Sequence, residues 1–254
     1  MSREELLAQW REEANRGMKG WDFSHIQDRY LVDPLPWNYV ERVKEFLRPG
    51  VRLLDMGTGG GEVLLSLRHP YQLTSVTEGW EPNLELCRKK LSPLGITVKS
   101  YDSEKDPALP FGDDSFDLVI DRHESYDLAE VHRVLKNGGF FVTQQVGGEN
   151  SLPLAKRLFP GFSGNFVGFN LENELPKFRE AGFRIMVSNQ AFLEGRFLDV
   201  GALCFQASVC PWEFPGFSVD RCQETLFQFQ EQIENLGFLP NLEHRFFIIA
   251  KNKK

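Results

Sequence analysis

The chain has 254 residues, and its 29 Lys and Arg against 36 Asp and Glu give a formal charge of −7. This acidic balance argues against tight binding to nucleic-acid phosphates, and no apolar run reaches the roughly 18–20 residues of a membrane helix. The charged start lacks the pattern of a signal peptide, and the scattered cysteines form no CxxC pair. We therefore expect a cytoplasmic protein without a metal, a nucleic-acid partner or a membrane partner, and its oligomeric state stays open.

The N-terminal segment, residues 1–36, shows little regular patterning. Residues 3–16 carry a weak helical pattern, and residues 17–36 mix Gly and Pro with aromatic side chains. A clearer helix is predicted over 37–48, because its apolar residues fall on one face and a Pro-Gly pair ends it. We interpret 1–36 as a cap segment that precedes the main domain.

Short apolar runs then alternate with helical patterns. The predicted strands are 51–55, 73–77, 96–101, 116–120 and 140–146. Helices are predicted between them at 62–67, behind Pro82, and at 128–135. This alternation is typical of βαβ units, and it predicts a parallel sheet with right-handed crossovers. Such a sheet binds its ligand beyond the carboxyl ends of its strands.

After residue 146 the pattern changes. Residues 147–170 are rich in Gly, Asn and Phe and are predicted to form a long loop. The remaining predicted elements are helices at 171–181, 199–210 and 218–236 and strands at 183–192 and 244–251.

The most informative stretch is the loop after the first predicted strand, residues 55–62, which reads DMGTGGGE. Glycines at such a place let the backbone approach a ligand closely and adopt positive φ angles. A dinucleotide-binding loop of the G-x-G-x-x-G type would need Gly at position 62. Glu62 stands there instead, and its carboxylate would repel a pyrophosphate.

The pattern Asp55-x-Gly57-x-Gly59-x-Gly61 resembles motif I of the class I S-adenosylmethionine-dependent methyltransferases. Two later stretches also resemble that family, 102–119 around the fourth strand and 130–139 before the fifth. The resemblance covers about residues 37–146 and implies S-adenosylmethionine as the cofactor. Because this cofactor carries an ammonium and a sulfonium and no phosphate, carboxylates beside the loop make electrostatic sense.

The resemblance implies an α/β fold. We expect a Rossmann-like, mostly parallel seven-stranded sheet with helices on both faces and a terminal β-hairpin, extended by N-terminal and C-terminal cap segments. The methyltransferase domain is expected to span 37–254. Within it, 37–146 would form the cofactor-binding core, 147–240 the acceptor-site loops and cap, and 244–251 the terminal strand.

The resemblance also implies roles for individual residues. Glu78, at the end of the second strand, is similar to the family's ribose-hydroxyl ligand, with Glu81 as its competitor. Asp102 is similar to the acid that accepts from the adenine amino group, and Asp121 is expected to contact the methionine part. The full expected cofactor-binding set is Asp55, Met56, Gly57, Thr58, Gly59, Gly61, Glu78, Gly79, Trp80, Asp102, Ser103, Asp121 and Arg122.

His123 and Glu124 follow the fourth predicted strand and are candidate general bases for an acceptor hydroxyl or amine. A purely structural, hydrogen-bonded role for His123 stays open. Aromatic residues in the irregular segments predict an apolar lid, formed by some of Trp21, Phe23, Tyr30, Trp37, Phe162, Phe166, Trp212, Phe214 and Phe217. The predicted reaction is methyl transfer by in-line displacement to a small, apolar or aromatic acceptor. The alternatives are an RNA or protein methyltransferase and a non-catalytic S-adenosylmethionine-binding module.

Overall fold

The structure is a computed structural model that describes residues 1–18 and 20–254, so Lys19 of the predicted cap segment lies outside it. The α-helices are α1 Arg3–Asn15, α2 Tyr39–Lys44, α3 Glu62–Ser66, α4 Glu81–Lys90, α5 Leu128–Val134, α6 Leu152–Leu158, α7 Leu171–Glu180, α8 Val200–Val209 and α9 Val219–Leu236. The strands are β1 Tyr30–Val32, β2 Leu53–Met56, β3 Thr74–Glu78, β4 Thr97–Ser100, β5 Phe116–Arg122, β6 Leu135–Val146, β7 Phe183–Phe197 and β8 Leu239–Asn252.

The strands form one hydrogen-bonded sheet in the order β4-β3-β2-β5-β6-β8-β7-β1. Strands β2 to β6 pair in parallel, whereas β8 is antiparallel to β6 and β1 is antiparallel to β7. The predicted Rossmann-like, mostly parallel sheet with a terminal hairpin is confirmed. The chain order reverses between β2 and β5, which is the switch point where such sheets bind ligands.

The register of the parallel strands brings the predicted site residues to one edge. Met56 at the end of β2 lies opposite Asp121 of β5. Glu78 at the end of β3 lies opposite Ser100, the last residue of β4. Since the carboxyl ends of parallel strands meet at the same edge, residues far apart in the sequence become neighbours there.

The chain divides into two compact units. The sheet unit comprises 36–146, 170–190 and 245–254. All four residues of its central strand β2 are buried, as expected for a parallel strand covered on both faces. Its core also includes buried apolar side chains from α2, α3 and α4 and from four neighbouring strands, among them Val43, Leu64, Cys87, Val76, Leu118, Val142 and Phe247.

The helical unit comprises 1–35, 147–169 and 191–244. Eight of the ten residues of α8 are buried, and this helix is apolar on all sides, as a central core helix should be. Helix α9 buries one face through Leu226, Phe229 and Ile233. Trp10 of α1, 2% exposed, belongs to the same core.

The prediction of seven strands is wrong by one, because β1 lies in the segment predicted as an irregular cap. Three residues are too few for an alternation signal. The strand exists because Tyr30 pairs with Phe197 of β7, and their rings stack with centroids 4.0 Å apart. Helix α6 was missed in a similar way inside the predicted loop 147–170.

Within the described ranges, no helix combines the length and the apolar character needed to cross a bilayer. The cytoplasmic location stays a prediction.

Candidate functional site

The glycine loop follows β2 and leads into α3, within the sheet unit. Gly57, Gly59 and Gly61 have φ angles of 60°, 59° and 78°, in the left-handed region that strains every other residue type. At Gly57 an added Cβ would also lie 2.5 Å from Cβ of Glu124. The loop therefore requires its glycines, and its backbone passes close to the segment after β5.

Glu78, the last residue of β3, anchors this loop. Its Oε2 accepts a hydrogen bond from Gly59 N–H at 2.9 Å, and its Oε1 accepts one from Trp80 N–H at 3.0 Å. Each carboxylate oxygen can accept a second hydrogen bond, so Glu78 keeps acceptor capacity. Its competitor Glu81 lies in the first turn of α4 and pairs with Arg88 at 3.5 Å. The structure thus brings Glu78 to the loop and leaves Glu81 on the surface.

Asp55 lies in β2, two residues before the loop, and is only 6% exposed. It accepts a hydrogen bond from Thr58 Oγ1 at 2.6 Å. Burial raises the pKa of Asp55 to about 7, the charge of Glu78 adds to this rise, and Thr58 and Arg122 oppose it. A carboxyl group with this pKa changes its charge near neutral pH.

Asp121 and Glu124 contribute two more carboxyl groups at the end of β5. Asp121 is fully buried; its Oδ1 accepts from Gln145 Nε2 at 2.6 Å, and its Oδ2 has no partner among the described residues. Burial and the charge of Glu124 raise the pKa of Asp121 well above its usual value. Burial also raises the pKa of Glu124, whose Oε1 accepts from Ser125 N–H at 2.9 Å. Asp121 therefore supports this segment from inside, while Glu124 remains partly accessible.

Asp102 and Ser103 follow β4. Asp102 pairs with Lys105 Nζ at 2.5 Å, and hydrogen bonding to Lys105 lowers the pKa of Asp102. Ser103 Oγ lies 2.8 Å from Ser125 Oγ, so the end of β4 contacts the segment after β5. At Gly79 an added Cβ would lie 3.0 Å from Cβ of Asp102, so the ends of β3 and β4 are also in close contact.

The carboxyl groups of Asp55, Glu78, Asp121 and Glu124, which we call the acidic cluster, have no matching positive side chain. Among residues 1–18 and 20–254, no Lys, Arg or His nitrogen lies within 4.0 Å of their oxygens. Members of the cluster raise the pKa of Asp55, Asp121 and Glu124 through their charges. Buried negative charge without a counter-ion is costly, so this edge of the sheet favours a bound cation.

Glu62 does not belong to the acidic cluster. It pairs with Lys90 Nζ at 2.5 Å, and its side chain is 69% exposed. The sequence argument against a dinucleotide depended on the charge of Glu62, which this ion pair offsets. The acidic cluster gives a firmer argument, because its net negative charge would repel a pyrophosphate.

His123 lies directly after β5, in the left-handed region with a φ of 68°. Gln144 Nε2 is 2.9 Å from His123 Nε2, and Trp37 Nε1 donates to Gln144 Oε1 at 2.8 Å. Burial and the positive charges of Arg245 and Arg122 hold the pKa of His123 well below its usual value. The residue nevertheless keeps a solvent-exposed surface. No spacing in the sequence indicates this chain of contacts, since Trp37 and Gln144 are 107 residues apart.

Residues 54–143 match the family model described as a methyltransferase domain. This stretch is a class I S-adenosylmethionine-dependent methyltransferase domain. It contains the glycine loop, all four residues of the acidic cluster, and Asp102. The family predicted from the glycine pattern is therefore confirmed.

The chain is similar to two curated proteins and to a solved structure. The ubiquinone/menaquinone biosynthesis C-methyltransferase UbiE of Desulfotalea psychrophila is 36% identical over 102 residues, which is 36% of this chain and 40% of that protein. The phthiotriol/phenolphthiotriol dimycocerosates methyltransferase of Mycobacterium tuberculosis is 34% identical over 90 residues, 33% of this chain and 32% of that protein. The match therefore spans less than half the length of either relative. A crystal structure of a candidate methyltransferase from Bacillus halodurans shares the fold, with a TM-score of 0.56 and 17% identity over 85% of this chain and 97% of that one.

The aromatic residues outside the methyltransferase domain differ in their exposure to solvent. Phe214 is fully buried in the core of the helical unit, so it is not among the residues that could form an apolar lid. Trp21, Phe166 and Trp212 are 43%, 53% and 42% exposed, and Trp21 and Trp212 contact each other edge to face at 5.6 Å. These three remain candidates for a lid.

An open groove of about 500 Å³ lies elsewhere on the sheet unit. Its lining includes Arg179, Arg184 and Lys253. Lys253 follows Lys251 of β8, which pairs with Phe140 of the antiparallel strand β6. The groove therefore lies toward the amino-terminal part of β6. Three positive side chains would repel the cationic cofactor of a methyltransferase, so we do not assign it to this groove.

In the described part of the chain, no group of three His, Cys, Asp or Glu residues is arranged to hold a metal ion.

Proposed function

We propose that this chain is an S-adenosylmethionine-dependent methyltransferase that acts on a small, apolar or aromatic acceptor. The observation that carries the proposal is the acidic cluster beside the glycine loop, whose buried carboxyl groups have no positive partner within 4.0 Å among the described residues and have raised pKa values that a bound cation would lower. A ligand with an ammonium and a sulfonium supplies the missing charge. A phosphate-bearing cofactor would add to the repulsion.

The residues that would hold the cofactor lie at the ends of four neighbouring strands. The backbone of the glycine loop, from Met56 to Gly61, allows close approach. Glu78 is held in place and can still accept hydrogen bonds from ribose hydroxyls. The carboxylate of Asp102 and the backbone of Ser103 lie at the end of the neighbouring strand, where they would bind the adenine. Gly79 and the exposed ring of Trp80 lie between these positions along the chain.

The proposed cofactor site also includes three ionisable residues, Asp55, Asp121 and Arg122. Asp55 adds a negative charge that depends on pH. Asp121 acts from inside by holding Gln145 and the segment after β5. The positive charge of Arg122 opposes the rise in the pKa of Asp55. Arg122 therefore favours the ionised form of Asp55.

When bound, S-adenosylmethionine supplies an electrophilic methyl group on a sulfonium. The chain's own task is to align an acceptor atom with that methyl and to exclude water. Glu124 is the proposed group that takes a proton from the acceptor, since its pKa is raised toward neutral pH. The names of the two curated relatives, a quinone-pathway and a lipid methyltransferase, support an apolar acceptor.

Calorimetric titration with S-adenosylmethionine tests the proposal. We expect wild-type protein to bind and Gly57→Ala to lose at least tenfold in affinity, because its Cβ would meet Glu124. Gly50→Ala is the matched control: it places Ala at a positive φ of 86° with open space around its Cβ, so it should bind normally. Folded wild-type protein that gives no heat of binding would overturn the proposal.

A turnover assay separates the remaining candidates. Methyl transfer to quinols or phenols supports the proposed acceptor class. Transfer only to RNA or to a protein would replace that class. Binding without transfer to any of these would identify a non-catalytic S-adenosylmethionine-binding module.

A further inference from the structure

The orientation of the Gln144 amide is fixed by Trp37. An indole N–H can only donate a hydrogen bond, so the Gln144 atom 2.8 Å from Trp37 Nε1 must be the amide oxygen. The amide nitrogen then faces His123, with Nε2 of Gln144 at 2.9 Å from Nε2 of His123. Gln144 is 2% exposed, so its amide is largely shielded from water.

This orientation determines where His123 carries its proton. An amide NH₂ is a donor, so His123 Nε2 must accept and must be unprotonated. The single proton of the ring therefore sits on Nδ1. A doubly protonated imidazolium would place two donors against each other, and the charges of Arg122 and Arg245 also disfavour it.

The remaining nitrogen of His123 is available to a ligand. None of the hydrogen bonds of the described residues uses Nδ1 of His123, and the residue has an exposed surface at the end of β5. Its backbone N–H donates to Gln144 O at 2.8 Å, which holds it at a φ of 68°. Strain of this kind persists where the surroundings fix a side chain in place.

We infer that His123 is a neutral hydrogen-bond donor whose Nδ1–H holds an oxygen of the methyl acceptor, and that Trp37 and Gln144 are positioning residues that set its tautomer. The inference rests on the proposed function and specifies its acceptor as one with an accepting oxygen, such as a phenol or a carbonyl compound. It replaces the general-base role predicted for His123, because the lone pair of Nε2 is already engaged. Proton removal is left to Glu124.

Nitrogen-15 NMR of the histidine rings tests the tautomer without any ligand. We expect wild-type His123 to show a protonated Nδ1 and an unprotonated Nε2 from pH 6 to pH 8. Trp37→Phe frees the Gln144 amide to turn and should give a mixture of tautomers. Gln144→Glu replaces the donor by a carboxylate and should move the proton to Nε2. A wild-type ring protonated on Nε2, or titrating at its usual pKa, would overturn the inference.

The role toward the acceptor is tested by two substitutions at His123. Asn tolerates positive φ and can present an N–H near the place of Nδ1, so His123→Asn should retain most of kcat/KM and the shape of its pH profile. His123→Ala lacks the donor and should lower kcat/KM by about 10- to 100-fold, chiefly through KM. Equal losses in both variants, together with a lost limb of the pH profile, would show that His123 is a base. Absence of S-adenosylmethionine binding would refute the proposed function while leaving the NMR result valid.

Discussion

Asp55 shows how one buried carboxyl group links ligand binding to pH. Its pKa in the folded chain is about 7, above the ordinary value of 3.8. The folded, ligand-free chain therefore favours the protonated form, and the contribution of Asp55 to stability declines as the pH rises from about 4 to about 7. A bound cation favours the ionised form, so binding should strengthen with pH and should release a proton below about pH 7.

We predict that the affinity for S-adenosylmethionine rises about tenfold between pH 6 and pH 8, and that Asp55→Asn removes most of this rise. Calorimetry in two buffers of different ionisation enthalpy measures the released proton. The ligand's own titration is common to both proteins, so the difference between them reports Asp55. An equally steep pH dependence in the variant would contradict the assignment.

At the scale of residues, the sequence predicted the acidic positions better than it predicted their partners. Asp55 and Glu78 could be identified because glycine patterns and strand ends are local signals. The burial of Asp121 depends on its position in β5 and on Gln145 from the neighbouring strand. The Trp37–Gln144 hydrogen bond depends on the tertiary fold alone, and no spacing rule indicates it.

The glycine loop is an element that β3 holds in place through one side chain. Glu78 accepts from Gly59 N–H and Trp80 N–H, and hydrogen bonds to a charged group each contribute about 1.5–3 kcal/mol. We predict that Glu78→Ala increases amide hydrogen exchange at these two positions by about 10- to 100-fold. Hydrogen-exchange mass spectrometry or NMR on ligand-free protein measures the effect.

Glu81→Ala is the control for this experiment. Glu81 lies three residues further on and pairs with Arg88 at 3.5 Å on the surface, so its removal should leave exchange in the loop unchanged. Unchanged exchange in Glu78→Ala would show that the loop is held by its other contacts, such as Thr58 N–H to Thr77 O at 3.2 Å.

At the scale of elements, most strands and helices were predicted, and the two that were missed, β1 and α6, lack a local sequence signal. Strands β2 and β5 contain adjacent buried apolar residues, Leu53-Leu54 and Leu118-Val119-Ile120, as expected for strands covered on both faces. The N-cap residue of α6, Ser151, has a positive φ of 54° and makes no side-chain cap, so the usual start signal is absent. Strand β6 begins at Leu135 and includes Asn137-Gly138-Gly139, which were predicted as a turn.

For the whole molecule, the sequence predicted the sheet but not the helical unit. The parallel pairing of β2 to β6 follows from the alternation of strands and helices. The helical unit is assembled from 1–35, 147–169 and 191–244, so its core depends on contacts between distant segments. The domain boundaries given as 37–146 and 147–240 stay predictions, as does the assignment of the latter to the acceptor.

Helix α9 allows a direct test of how the helical unit is stabilised. Leu226 is fully buried and Leu236, at the end of the same helix, is 62% exposed. Leu226→Ala removes buried methyl groups and leaves a cavity, and should lower the free energy of unfolding by about 2–5 kcal/mol. Leu236→Ala makes the same chemical change on the surface and should cost less than about 0.5 kcal/mol. Urea unfolding followed by circular dichroism compares the two, and equal losses would mean that α9 is stabilised by its local helix propensity instead of by its packing in this core.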